Sequence, residues 1–125
     1  MHEMSIAENL LTLAEAEIRK QNCDRIEKIK IECGVLSGVT PDALTLCFQA
    51  LVATTPHRDA LLEIEVAPAL LRCPFCQTRF TGASREALFA PCPACGEAFG
   101  HIVEAGRELI LARIEAVNSA APRDL

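Results

Sequence analysis

Apolar residues recur along this chain with two periods. Ile6, Leu10, Leu13, Ala14 and Ile18 fall near helical spacing, Leu11 widens the face, and the pattern predicts a helix over residues 4–21. Ser5 and Glu8 form a capping-box pattern at its start, and Arg19 and Lys20 in the last turn suit the helix dipole. Over residues 26–33 the period changes to two: Ile29, Ile31 and Cys33 alternate with Lys28, Lys30 and Glu32, as in a half-buried strand. Gly34 and Gly38 bracket a turn. Thr40-Pro41 then opens a second helix, with Thr at the N-cap and Pro in the first helical position. Leu44, Cys47, Phe48, Leu51 and Val52 give that helix a continuous apolar stripe, and Thr54-Thr55-Pro56 stops it. A second strand is predicted over 61–66, with Leu62, Ile64 and Val66 facing inward against Glu63 and Glu65. Pro68 marks the exit. Residues 101–104 and 107–117 read as a hairpin turning at Ala105-Gly106, whose long second arm returns to the main sheet, and the tail from Asn118 is expected to fray.

This order predicts an α+β fold: a small sheet of about three strands with two helices, plus a lobe inserted before the last strand. The body is residues 1–68 and 104–125, and the lobe is residues 69–103.

The lobe carries the clearest chemistry. Cys73-Pro74-Phe75-Cys76 and Cys92-Pro93-Ala94-Cys95 stand fifteen residues apart, the spacing of a zinc-ribbon-like site. Each pair can form a knuckle that aims two thiolates at one point, with ligands about 2.3 Å from the metal. Pro pre-sets each turn, and Gly96 suits the positive φ that often follows a knuckle. Gln77, at the matching place in the first knuckle, is less standard. Four thiolates leave no open coordination position, so Cys73, Cys76, Cys92 and Cys95 read as ligands of a structural Zn(II). A rubredoxin-like iron centre, two disulfides or four unrelated core cysteines are the other readings. Disulfides would need an oxidising compartment, and iron a redox role.

Composition narrows the function. The chain has 125 residues, half of them apolar, with no Trp or Tyr, so the core must be largely aliphatic. Of the five Phe, Phe75, Phe80, Phe89 and Phe99 lie in or beside the cysteine stretch and are expected to form a small aromatic cluster around the metal. A lobe of that size needs its metal to fold. A net charge of −5 argues against a general phosphate-binding surface, and no apolar run approaches a membrane span. The first residues lack the basic region of a signal peptide, so a cytoplasmic protein is expected.

Met1-His2-Glu3 opens the chain. An α-amine, the amide nitrogen of His2 and its imidazole can close adjacent chelate rings, and the Glu3 amide can add a further nitrogen. Planar nitrogen donors suit Ni(II) or Cu(II). The bulk of His2 disfavours removal of Met1. The plainer reading is a solvated histidine near a terminus. His101 opens a strand and reads as partly exposed, although it could compete as a ligand. His57 sits in a polar loop and reads as surface. Cys33 and Cys47 read as small core residues, and Cys23 has no evident role. No nucleophile–base pair and no phosphate loop is found, so an enzyme is not expected.

Taken together, these residues resemble the hydrogenase-maturation nickel metallochaperones of the HypA/HybF type. The resemblance rests on Met1-His2-Glu3-Met4-Ser5 opening a helix, Leu46-Cys47-Phe48, Thr55, Leu62-Glu63-Ile64, both cysteine knuckles, Gly106-Arg107-Glu108-Leu109 and Ile114-Glu115. It covers nearly the whole chain. It implies a nickel-binding α/β domain (residues 1–68 and 104–125) and a zinc-binding domain (residues 69–103). It implies that His2 is the essential nickel ligand, that Met1 donates its amine and Glu3 its amide, and that the four cysteines hold structural zinc. The implied activity is delivery of Ni(II) for [NiFe]-hydrogenase maturation, with urease as a further recipient. A maturation GTPase and the hydrogenase large-subunit precursor are the implied partners, with no nucleic acid and no membrane. Met4 stands where Leu is common in such proteins.

A zinc-ribbon nucleic-acid-binding or regulatory module is the alternative. Arg72, Arg79 and Arg85 interleave with Phe75, Phe80 and Phe89, as a single-strand stacking platform would. The acidic total and the expected use of those Phe as lobe core stand against it.

Overall fold

The computed structural model describes residues 3–120. The elements run α1 (Glu3–Lys20), β1 (Arg25–Gly34), α2 (Pro41–Val52), β2 (Leu61–Ala67), β3 (Ala69–Arg72), β4 (Arg79–Gly82), a 3₁₀ helix (Arg85–Phe89), β5 (Ile102–Ala105) and β6 (Leu109–Val117). They make two three-stranded sheets, ordered β2-β1-β6 and β4-β3-β5. The chain divides into two compact units. One takes the chain to Ile31, Thr40–Ile64 and the chain from Leu111; the other takes Glu32–Val39 and Glu65–Ile110. Among the described residues, no helix is long and apolar enough to cross a membrane.

In the first unit, α1 and α2 pack on each other. Ile6, Ala7, Leu10, Ala14 and Ile18 are buried, a stripe that advances by four and fills the seam with two small residues. Leu13 departs from the expectation: it is 58% exposed, because the buried face turns toward Ala7 instead. Ser5 lies inside the helix, so the predicted capping box does not form. On α2 the buried residues are Leu44, Phe48 and Val52, while Cys47 and Leu51 are only half-buried. Complete burial of Phe48, the one aromatic of this unit, is worth about 1.5–3 kcal/mol.

Thr40 takes the extended N-cap conformation but makes no side-chain cap bond. Its own backbone N–H donates to Glu3 Oε2 at 3.1 Å, which ties the start of α1 to the start of α2. Thr55 closes the other end, with its hydroxyl donating to the Val52 carbonyl at 2.8 Å. In the sheet, Ile26, Ile29, Ile31 and Cys33 of β1 are buried. The Asp24 N–H donates to the Val117 carbonyl, joining the start of β1 to the end of β6. On β2, Leu62 and Ile64 are half-buried as expected, but Val66 is exposed at the strand's end.

In the second unit, β3 is the central strand and pairs antiparallel with β4 and β5. Leu71 stands opposite Phe80 on one side and Val103 on the other. Ala69, Leu71 and Cys73 are buried, so the period of two carries the inward face directly into the first cysteine. The predicted hairpin across Ala105-Gly106 does not form: β5 joins β3, and β6 joins β1. The backbone at the corner is used elsewhere. The Leu36 N–H donates to the Gly106 carbonyl at 2.7 Å, and the Gly34 N–H donates to the Glu108 carbonyl at 2.8 Å. Gly106 has φ +123° and backs onto Ala69, where an added Cβ would lie 2.8 Å from the Ala69 Cα. Only glycine fits both conditions.

The expected aromatic cluster is also absent. Phe75, Phe89 and Phe99 are 70%, 67% and 68% exposed. The knuckles turn their sulfurs inward, which leaves Phe75, between two ligand positions, outside. The interior of this unit is instead Ala69, Leu71, Cys73 and Cys92. Phe80 alone is half-buried, meeting the His101 ring edge-on at 4.9 Å.

Candidate metal centre

Two short loops bring four sulfurs together, and they are built alike. In the first, the Cys73 N–H donates to the Thr78 carbonyl at 2.9 Å, and the Gln77 N–H donates back to the Cys73 carbonyl at 2.9 Å. In the second, the Cys92 N–H donates to the Glu97 carbonyl at 2.8 Å, and the Gly96 N–H donates to the Cys92 carbonyl at 2.9 Å. The Ala94 N–H also points at Cys92 Sγ, 3.4 Å away. Each loop thus spends its backbone on holding one thiol inward and one at the rim. Cys73 and Cys92 are buried, whereas Cys76 and Cys95 are exposed.

The four Sγ atoms all lie within 4.8 Å of one another. Cys73 and Cys95 sulfurs are 3.6 Å apart, and Cys76 and Cys92 sulfurs 3.5 Å. A tetrahedron with bonds of about 2.3 Å has edges of about 3.8 Å, so this donor set fits one tetrahedral thiolate-bound cation. These separations far exceed the about 2.05 Å of a disulfide, and all the cysteines are free thiols.

Electrostatics point the same way. The Thr78 hydroxyl lies 3.2 Å from Cys76 Sγ, and with the Thr78 backbone it pulls the Cys76 thiol down to about 6. At Cys95 the Glu97 backbone N–H draws the thiol down, yet the balance pushes it up to about 12. Removal from water raises it first, and the hydrogen bonds with the Cys73, Cys76 and Cys92 thiols raise it further. The cluster accepts one negative charge easily and resists the next. A divalent cation removes that resistance.

The surrounding strands brace the first knuckle. Arg79 Nε donates to Glu104 Oε1 at 2.7 Å, and Arg72 Nε to Glu104 Oε2 at 3.1 Å. Arg72 Nη1 also donates to Gln77 Oε1 at 2.6 Å. The Arg79 guanidinium, helped by Arg72, holds the Glu104 carboxyl below its usual range. Two of the three arginines of the supposed stacking platform are therefore spent on an internal carboxylate, although Phe75 and Phe89 are outward.

Met1 and His2 lie outside the described residues. Glu3 opens the described part of α1, and its carboxylate accepts the Thr40 N–H. The remaining singled-out residues fall as follows. His57 is not on the surface: it is 3% exposed, accepts the Ile26 N–H at Nδ1 (3.0 Å) and sets Nε2 3.2 Å from Glu15 Oε2. Since Nδ1 accepts, Nε2 carries the proton and donates to Glu15. The partners are distant in sequence, so no local signal marked this residue. His101 is half-buried, with Nε2 2.7 Å from the Ala90 carbonyl. Cys33 is buried with its sulfur 3.2 Å from Ser37 Oγ, Cys47 is half-buried, and Cys23 is half-buried near the Gln21 carbonyl.

The chain is similar to known proteins along most of its length. Residues 1–116 match the HypA family model, described as hydrogenase/urease nickel incorporation, metallochaperone. A hydrogenase maturation factor HypA of Solidesulfovibrio magneticus is 43% identical over 92% of this chain and 98% of its own. One of Geobacter sulfurreducens is 40% identical over the same shares. Among solved structures, the Ni metallochaperone HypA from Helicobacter pylori shares the fold with a TM-score of 0.63, covering 95% of this chain and 100% of that one at 23% identity. A second solution structure, of a HypA protein, has a TM-score of 0.64, covering 94% and 97% of the two chains at 24% identity.

Proposed function

The chain belongs to the HypA family of hydrogenase/urease nickel-incorporation metallochaperones, and from that premise we propose that it binds Ni(II) at its N-terminus and delivers it for [NiFe]-hydrogenase maturation, with urease as a further recipient. Nickel is cargo in this reading, and the protein is a carrier rather than an enzyme. The Met1 amine, the amide and imidazole of His2 and the amide of Glu3 form the nickel site. The bond from the Thr40 N–H to the Glu3 carboxylate supports this by anchoring the first turn of α1 beside the proposed site. Residues 1–68 and 104–125 make the nickel domain, and residues 69–103 the zinc domain.

The observation that carries the second site is the cluster of four sulfurs. Cys73, Cys76, Cys92 and Cys95 would hold Zn(II), which supplies structural cross-linking and no reactive position. A closed tetrathiolate keeps its ion, while a shallow terminal chelate can release one. The maturation GTPase and the hydrogenase large-subunit precursor are the proposed partners, in the cytoplasm. Metal analysis of the purified protein after nickel loading tests the reading: one Zn(II) and one Ni(II) per chain are expected. Zinc alone, together with tight oligonucleotide binding at low salt, would favour the nucleic-acid module in its place.

A further inference from the structure

We propose that the cysteine cluster is also an oxidative modification site, at which Cys76 reacts with hydrogen peroxide and then closes a disulfide across the two knuckles to Cys92. This rests on the zinc reading of the cluster, since bound zinc keeps its four sulfurs as thiolates, the form that reacts. Burial decides which sulfurs a solute reaches. Cys73 and Cys92 are 0% and 3% exposed, while Cys76 and Cys95 stand at the rim. The two rim positions differ in their neighbours. Thr78 Oγ1 lies 3.2 Å from Cys76 Sγ, whereas Cys95 has the backbone N–H of Glu97. A hydroxyl rotates to follow an arriving peroxide and donates to its leaving oxygen; a backbone N–H is fixed.

The chemistry balances with peroxide as the only oxidant. The Cys76 thiolate attacks one peroxide oxygen, the O–O bond breaks, and the other oxygen leaves as hydroxide and takes a proton to become water. Cys76 is then a sulfenic acid. The Cys92 thiolate attacks its sulfur, the S–S bond forms, the S–O bond breaks, and the second hydroxide takes a proton. Peroxide gains two electrons, one from each sulfur. Cys92 is the partner because its Sγ lies 3.5 Å from Cys76 Sγ. The two sulfurs close by about 1.5 Å to reach bonding distance. A bond within the first knuckle, from Cys73 to Cys76, would instead distort a turn that the Cys73 and Gln77 backbone N–H groups fix. Cys73 and Cys95, 3.6 Å apart, remain as a second pair across the knuckles for a further peroxide. Two thiolates are too few for a closed zinc site, so the modification empties it. Attack by a free thiol reverses the bond.

The test treats the full, zinc-loaded chain with hydrogen peroxide, follows zinc release with a chromophoric chelator and maps disulfides by mass spectrometry of non-reduced peptides. The first product is expected to carry a Cys76–Cys92 bridge, with zinc released in step and both changes reversed by dithiothreitol and added Zn(II). Thr78→Val keeps the backbone carbonyl that receives the Cys73 N–H, so it should retain zinc. It should lose that zinc to peroxide about tenfold more slowly than the wild type. A first product bridged within one knuckle would overturn the proposal. So would a Thr78→Val chain that reacts at the wild-type rate, or sulfonic acid at Cys76 with no disulfide. Zinc content before peroxide tests the zinc reading separately. A chain purified without zinc sinks that reading, while the disulfide map on the same chain still decides the pairing.

Discussion

Gln77 holds in the first cysteine knuckle the left-handed backbone position that Gly96 holds in the second, at φ 65° and 81°. Glycine takes this conformation freely, while a residue with a Cβ is strained there by about 1–2 kcal/mol. Gln77 offsets part of that strain, since its side chain accepts from Arg72 and donates to the Pro74 carbonyl at 3.1 Å. Nothing lies within 4 Å of a Cβ added at Gly96, so Gly96→Ala isolates the backbone strain. It should weaken zinc retention in a chelator competition by about fivefold, or about 1 kcal/mol. Gln77→Gly should leave retention unchanged or improve it slightly. Equal losses from both substitutions would contradict this account, because Gly96→Ala adds backbone strain whereas Gln77→Gly relieves it.

What the sequence made legible follows from how local each signal is. The two knuckles are readable because ligand spacing and turn geometry sit within a few residues. Both helices and β1 are readable because their apolar periods run long enough to be counted. β3 and β4 are four residues each, too short to show a period, and they passed as featureless lobe. The hairpin expected at Gly106 failed because residues 34–36, far away in sequence, claim that backbone. The three outward Phe were misplaced because apolar character was read as burial, when the sulfurs had already taken the interior.

His57 shows the same limit and leads to a stability prediction. It is the acceptor for a buried backbone N–H on β1 and reaches α1 through Glu15. His57→Ala would leave the Ile26 N–H without a partner and open a cavity, at a cost of about 2–4 kcal/mol. Chemical denaturation followed by helical circular dichroism measures it. A change below about 0.5 kcal/mol, ordinary for a surface site, would contradict the buried role.

The Lys28–Glu63 pair, 2.8 Å apart between β1 and β2, bounds stability on both sides of neutral pH. The hydrogen bond with Lys28 lowers the Glu63 carboxyl below 4.5, so its contribution is complete above that value and is lost as pH falls through the lowered one. The bond with Glu63 raises the Lys28 amine above 10.5, so its contribution is complete below that value and is lost as pH rises through the raised one. Glu63→Gln should leave the protein slightly less stable near pH 7 and remove both dependences. Thermal melts of the two proteins from pH 3 to 11 check this; identical differences at every pH would contradict it.

The central claim is that nickel binds at a chelate made by the first residues, with Met1 as the terminal amine. Adding a few residues ahead of Met1 would convert that amine to an amide and displace the end, while touching neither the four cysteines nor α2. Calorimetric nickel titration of the native and extended proteins, with zinc content measured alongside, is the most direct test. The account predicts one tightly bound Ni(II) in the native protein, none in the extended one, and unchanged zinc in both. Equal one-to-one nickel binding by the extended protein would contradict it.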